Sequence, residues 1–140
     1  MRSLSLRYEQ EAHLLAAAHE AATRAYAPYS RFRVGAALLL ESGEVVSAAN
    51  VENTSYGLTL CAERSAIACA VAMHGPEMRV LAAAVANLNG SASAPCGACR
   101  QVLAEFMPQD GIVLFPFDGS VESRTLAELL PSGFFLKHVD

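Results

Sequence analysis

Hydrophobic and polar positions alternate along this chain in a way that names most of its elements. From about residue 5 to 26, Leu14, Leu15, Ala18, Ala22 and Ala25 recur at helical spacing and predict a first helix. Ala27-Pro28-Tyr29-Ser30 closes it, because a residue before proline avoids the helical region. Val34 to Leu40 and Glu44 to Ala49 read as strands, with Ser42-Gly43 as the turn of a hairpin. Asn50 to Thr59 is polar and reads as a loop. A second helix is expected from Cys61 to about Met73, closed by His74-Gly75-Pro76. Val80 to Ala86 is a buried strand, and Asn87 to Ala94 a loop of small polar residues. Pro95 opens a third helix that runs to about Phe106. Ile112 to Phe117 is a strand, Asp118-Gly119 a turn before a further short strand, and Leu126 to Leu130 a short helix stopped by Pro131. Helices interleaved with strands in this order predict an α/β fold with a mixed sheet.

Composition narrows the picture. The 140 residues fit one domain, spanning 1–140, and no internal repeat or linker divides them. With 53% apolar residues, 7% aromatics and no tryptophan, alanine and branched aliphatics must do most of the packing. A net charge of -4 argues against nucleic acid as partner, since phosphate neutralisation needs a basic stripe and the arginines here are scattered among acids. No stretch approaches the roughly 20 apolar residues that span a bilayer, so no membrane partner is expected. Glu9 and Glu11 interrupt any signal-peptide core after Arg2 and Arg7, which leaves a cytoplasmic location as the expectation.

The chemistry lies in four residues. Cys61-Ala62-Glu63 and, about 35 residues on, Pro95-Cys96-Gly97-Ala98-Cys99 supply three thiols and a carboxylate. Cys96 and Cys99 stand three apart at a helix start and can point to one spot. Cys61 opens a different helix, and each helix N-terminus favours a thiolate. Three thiolates fill three corners of a zinc tetrahedron and leave the fourth to water, the pattern of a catalytic site. Cys69 lies eight residues beyond Cys61 on the same helix, roughly 12 Å away at 1.5 Å per residue, too far to share the metal. None of His13, His19, His74 and His138 has ligand spacing to the cysteines. Three thiolates on one divalent ion leave a net negative charge, for which Arg64 is the compensating cation and Arg100 a lesser candidate. Glu63 is placed to move the protons of the water. A structural zinc module for protein interaction is the rival from another class.

C-A-E-R together with P-C-G-A-C-R-Q-V-L resembles the small zinc-dependent cytidine deaminases. Tyr26-Ala27-Pro28-Tyr29-Ser30-Arg31-Phe32 and Asn50-Val51-Glu52-Asn53-Thr54-Ser55-Tyr56-Gly57 are further family-like blocks, so the likeness runs from about Ala25 to Phe134. The resemblance implies a three-layer α/β/α sandwich with a mixed five-stranded sheet and one zinc ion per subunit. It implies hydrolysis of cytidine and 2′-deoxycytidine to uridine and 2′-deoxyuridine with release of ammonia, the chemistry of pyrimidine salvage. Cys61, Cys96 and Cys99 would hold the metal and Glu63 would shuttle protons to N3 and to the leaving amine. Asn50 and Glu52 would bind the ribose, with satisfaction of loop backbone as their other reading. Phe32 would pack beside the nucleoside or in the core. Backbone groups of Ala62 and the Pro95 loop would read the base edge. The family is usually homotetrameric with shared active sites, to which Tyr56 and a C-terminal phenylalanine look like contributions. That terminus reads Leu129-Leu130-Pro131-Ser132-Gly133-Phe134-Phe135: Phe134 sits in the family's register, and either ring is a candidate to cover the base. The Pro-Ser-Gly piece also resembles the blasticidin-S deaminases, which act on a nucleoside antibiotic, but Arg64 and Glu52 favour ordinary cytidine. A neutral sugar also suits a chain without a glycine-rich phosphate loop.

Overall fold

Glycine 35 sets the spacing of the first layer. The computed structural model describes residues 6–136. Helix α1 (Tyr8–Ala22) crosses strand β1 (Val34–Leu40) so closely that a Cβ on Gly35 would stand 1.9 Å from the Ala18 carbonyl oxygen. Small residues permit that approach over the rest of the contact: Leu14 and Ala18 of α1 pack on Ala37, Ala82 and Ala84 of the sheet.

The remaining elements are β2 (Val45–Ala49), a 3₁₀ turn (Tyr56–Leu58), α2 (Ala62–His74), β3 (Val80–Asn87), α3 (Gly97–Phe106), β4 (Ile112–Phe117), β5 (Ser120–Thr125) and α4 (Leu126–Leu129). The five strands form one sheet in the order β2-β1-β3-β4-β5. Only β3 and β4 run parallel, joined through α3; the other neighbours are antiparallel, so the sheet is mixed. Side chains alternate with the two-residue period of a strand. Ala36, Leu38 and Leu40 of β1 and Ala83 and Val85 of β3 face a second core with Ala66, Ile67 and Ala70 of α2 and Leu103 of α3. Helix α1 therefore covers one face and α2, α3 and α4 the other, which makes three layers.

Expected boundaries shift by up to four residues, some of them for a visible reason. The first helix ends at Ala22, four residues before its expected end, because Tyr26 pairs with the 50–52 segment: its N–H donates to the Asn50 carbonyl at 3.0 Å and its carbonyl accepts from Glu52 N–H at 2.9 Å. The third helix starts after Pro95, with Cys96 as its N-cap residue. Strand β2 starts at Val45, one residue past the expected Glu44, beyond the Gly43 turn at φ 94°. The first helix starts at Tyr8 rather than near residue 5, because Arg7 is extended and caps it, its N–H donating to Gln10 Oε1 at 3.0 Å. Residues 1–5 and the tail at 137–140 with His138 fall outside the described residues.

This geometry brings the N-termini of α2 and α3 to one edge of the sheet, where β1 begins and β3 ends. Gly35→Ala should cost about 3 kcal/mol of stability, since backbone rather than a flexible side chain blocks the new methyl. Urea unfolding checks it; an unchanged midpoint would contradict the close approach.

Candidate active site

The local fold treats the two cysteine motifs alike. Cys61 and Cys96 are the N-cap residues of α2 and α3, both extended, at φ/ψ of -71°/152° and -67°/167°. Cys99 is then the third residue of α3, and Arg64 the third of α2. The sulfurs of Cys61, Cys96 and Cys99 lie within 4.8 Å of one another. Tetrahedral Zn–S bonds of about 2.3 Å place sulfurs about 3.8 Å apart, so the donor set fits zinc. It is the one such ligand cluster among the described residues. Cys69 is elsewhere, its thiol 3.6 Å from the Met73 sulfur. No fourth cysteine closes the site.

The charge of the sulfurs is managed by near neighbours. Arg64 Nη2 donates to Cys61 Sγ at 3.3 Å. The Cys61 thiol is pulled down to about 5, first by the hydrogen bond from Cys99; burial opposes this, and the hydrogen bond and charge of Arg64 then add to it. The buried Cys99 keeps its proton for the same reason and is pushed up. Arg64 is held charged by the two sulfurs. Arg100, the lesser candidate for this duty, does other work: its Nε donates to the Pro95 carbonyl at 2.7 Å and its Nη1 to the Leu129 carbonyl at 3.0 Å. It braces the cysteine loop against α4.

Glu63 is buried at the second position of α2, with 6% of its surface exposed. Burial pushes its carboxyl up to about 7; its own backbone N–H opposes this and the Cys61 thiolate reinforces it. A carboxyl poised near neutrality can both take and give a proton.

A cavity of about 260 Å³ opens in front of Glu63. Its lining includes Cys61, Ala62 and Cys96, the side chains Phe32, Asn50, Glu52 and Tyr56, and Ser30, Thr59, Ser93 and Ala94. Seven of the residues named from sequence for metal, chemistry or substrate thus share one cavity with Cys96. Asn50 and Glu52 are also tied to backbone. Asn50 Oδ1 accepts from Val34 N–H and its Nδ2 donates to the Phe32 carbonyl, both at 2.9 Å. Glu52 accepts from the N–H groups of Tyr29, at 2.9 Å, and Ser30, at 3.2 Å, and from the Ser30 hydroxyl. These bonds hold the Glu52 carboxyl below the usual range, the Ser30 hydroxyl most of all. Each side chain keeps spare capacity toward the cavity, a second Nδ2 hydrogen in Asn50 and further lone pairs in Glu52. Phe134 and Phe135 lie outside the cavity and are exposed. Gln101 holds the Phe134 backbone on both sides, donating to its carbonyl at 2.6 Å and accepting from its N–H at 3.1 Å.

Sequence reasoning passed over Ser30, Thr59 and Ser93. Ser30 lay in a block already singled out, and its signal is its place two residues before Phe32, whose N–H its hydroxyl accepts at 3.0 Å.

Three thiols closing on one point beside a buried carboxylate match a known family. The model of the cytidine and deoxycytidylate deaminase zinc-binding region matches residues 8–115. The chain belongs to that family. A cytidine deaminase of Halalkalibacterium halodurans is 48% identical over 122 residues, 86% of this chain and 91% of that protein. The crystal structure of a cytidine deaminase from Burkholderia pseudomallei superposes with a TM-score of 0.80 at 41% identity, over 92% of this chain and 100% of that one. A blasticidin-S deaminase of Bacillus cereus is more distant, at 30% identity over 88% of this chain and 91% of its own length.

One zinc ion per chain is the expected metal content by elemental analysis. Cys96→Ala should lose most of it and Cys69→Ala none; zinc lost from the Cys69 variant would contradict the three-sulfur site.

Proposed function

We propose that this deaminase converts cytidine and 2′-deoxycytidine to uridine and 2′-deoxyuridine with release of ammonia, as one domain working in a cytosolic homotetramer of nucleoside salvage. The observation that carries the reading is the buried carboxyl of Glu63, raised to about 7, in a cavity lined by Cys61 and Cys96, whose sulfurs lie within 4.8 Å of that of Cys99.

Cys61, Cys96 and Cys99 would hold the zinc, and Arg64 offsets the thiolate charge. The chemistry that zinc supplies when bound is a water that ionises near neutral pH. Glu63 does the proton work. C4 of cytosine is a poor electrophile until N3 is protonated, so Glu63 takes a proton from the attacking water and gives it to N3. It takes the second water proton to the C4 amine as the C–N bond breaks, and ammonia leaves. One carboxyl near neutrality serves both transfers. Asn50 and Glu52 face the sugar with their free lone pairs and hydrogen, Phe32 packs on the nucleoside, and the backbone at Ala62 and Ala94 meets the base edge.

Exposed aromatics support the shared-site assembly. Tyr56, in the cavity lining, is 74% exposed and Phe134, outside it, 69% exposed, which suits rings offered to a neighbouring chain. No helix among the described residues is long and apolar enough to cross a membrane.

Glu63→Gln should keep zinc and fold and lower turnover of cytidine, followed by absorbance, by about 10⁴-fold. Retained turnover would refute the proton shuttle, and turnover of a modified cytosine nucleoside without cytidine would move the substrate. Arg64→Ala should cost about 10- to 100-fold in kcat/KM with the fold intact; unchanged kinetics would refute charge compensation. Light scattering should give four chains, and a fully active monomer would remove the shared site.

A further inference from the structure

The peptide groups on both sides of Phe32 are held by one side chain from another loop. Asn89 Nδ2 donates to the Arg31 carbonyl and its Oδ1 accepts from Arg33 N–H, each at 3.2 Å. Only this orientation of the amide satisfies both partners, since one is an acceptor and the other a donor. The bracket starts where the sheet stops. Strand pairing of β1 with β3 ends at Val34 with Asn87, and Leu88 N–H adds one more bond to the Arg33 carbonyl at 3.1 Å. Gly90, at φ 68°, then turns the chain away, and the Asn89 side chain supplies the pair of bonds that the backbone no longer offers.

Both ends of the bracket are prepared. On one side, Asn87 braces its loop: Oδ1 accepts from Asn89 N–H at 3.0 Å and from Ser91 N–H at 3.3 Å, and Nδ2 donates to the Ser91 carbonyl at 2.9 Å. On the other, Arg31 sits at φ 61°, in a left-handed conformation that a non-glycine residue keeps only when its surroundings hold it. Phe32 itself is gripped from the cavity side, its N–H by Ser30 and its carbonyl by Asn50. Asn89 is exposed and touches neither the metal cluster nor the cavity.

We propose that Asn89 is a positioning residue that fixes the backbone of Phe32 and so sets the angle at which its ring meets the nucleoside. This rests on the reading of Phe32 as a wall of the substrate site. The bracket acts on binding rather than on proton transfer, because Glu63 lies on a different element.

The test is a double-mutant cycle on the zinc-loaded enzyme, read as kcat and KM for cytidine. Asn89→Ala should raise KM about ten-fold, the worth of two modest hydrogen bonds, and leave kcat within about two-fold. Its urea midpoint should drop by no more than those two hydrogen bonds are worth, so the protein stays folded through the assay. In a Phe32→Leu background, where the ring is gone and most of the volume kept, Asn89→Ala should change KM no further. Asn89→Asp, which keeps the acceptor for Arg33 and loses the donor to Arg31, should fall between. A raised KM in Phe32→Leu with none in Asn89→Ala overturns the bracket and leaves the ring in its role. An unchanged KM in Phe32→Leu overturns the role of the ring. Equal effects of Asn89→Ala with and without the ring overturn action through Phe32.

Discussion

The convergence of three sulfurs within 4.8 Å is the constraint that the rest of this structure serves. Thiolates repel one another and lose solvation when gathered, so the fold must bring compensating charge to the same point. It does so with backbone first. Two helices begin at cysteines, and their N-terminal peptide dipoles point at the sulfurs. Arg64, one helical position past Glu63, then adds a full charge to Cys61. The same helix start that stabilises the sulfur thus carries both the cation bonded to it and a buried carboxyl, Glu63.

Aligning two helix N-termini at one sheet edge requires a sheet that does not shift. The close approach of α1 at Gly35 and the small-residue contact of Ala18 with Ala37, Ala82 and Ala84 clamp the sheet from one side. From the other, Arg100 spans the Pro95 and Leu129 carbonyls, so the loop carrying Cys96 is fixed to α4. The cavity walls are built with equal economy. Asn50 and Glu52 hold the loops that shape the pocket and still offer hydrogen-bonding capacity toward it. The two readings of those residues, loop support and substrate contact, are compatible.

Much of this was legible in the sequence, and the reason is local. Cysteine spacing and helix-start position are short-range properties, so Cys61, Cys96, Cys99 and Glu63 stand out from a few residues of context. Strands β1, β3 and β4 show as apolar runs for the same reason. What could not be read depended on partners far along the chain. The early end of α1 follows from pairing of Tyr26 with Val51, which no local pattern announces. Arg100 looks as close to the cysteines in sequence as Arg64 does, but the third position of α2 faces the sulfurs and Arg100 turns to α4. Asn89 in its loop reads as one more turn residue until Arg31 and Arg33 are seen beside it, some 56 to 58 residues away.

The central claim is that three cysteine sulfurs hold zinc and leave one position to a small ligand. Zinc-edge X-ray absorption on the loaded protein tests it most directly. The account predicts three sulfurs at about 2.3 Å and one light atom at about 2.0 Å. A shell of four sulfurs, or of three sulfurs with a histidine nitrogen, would close the site and contradict it.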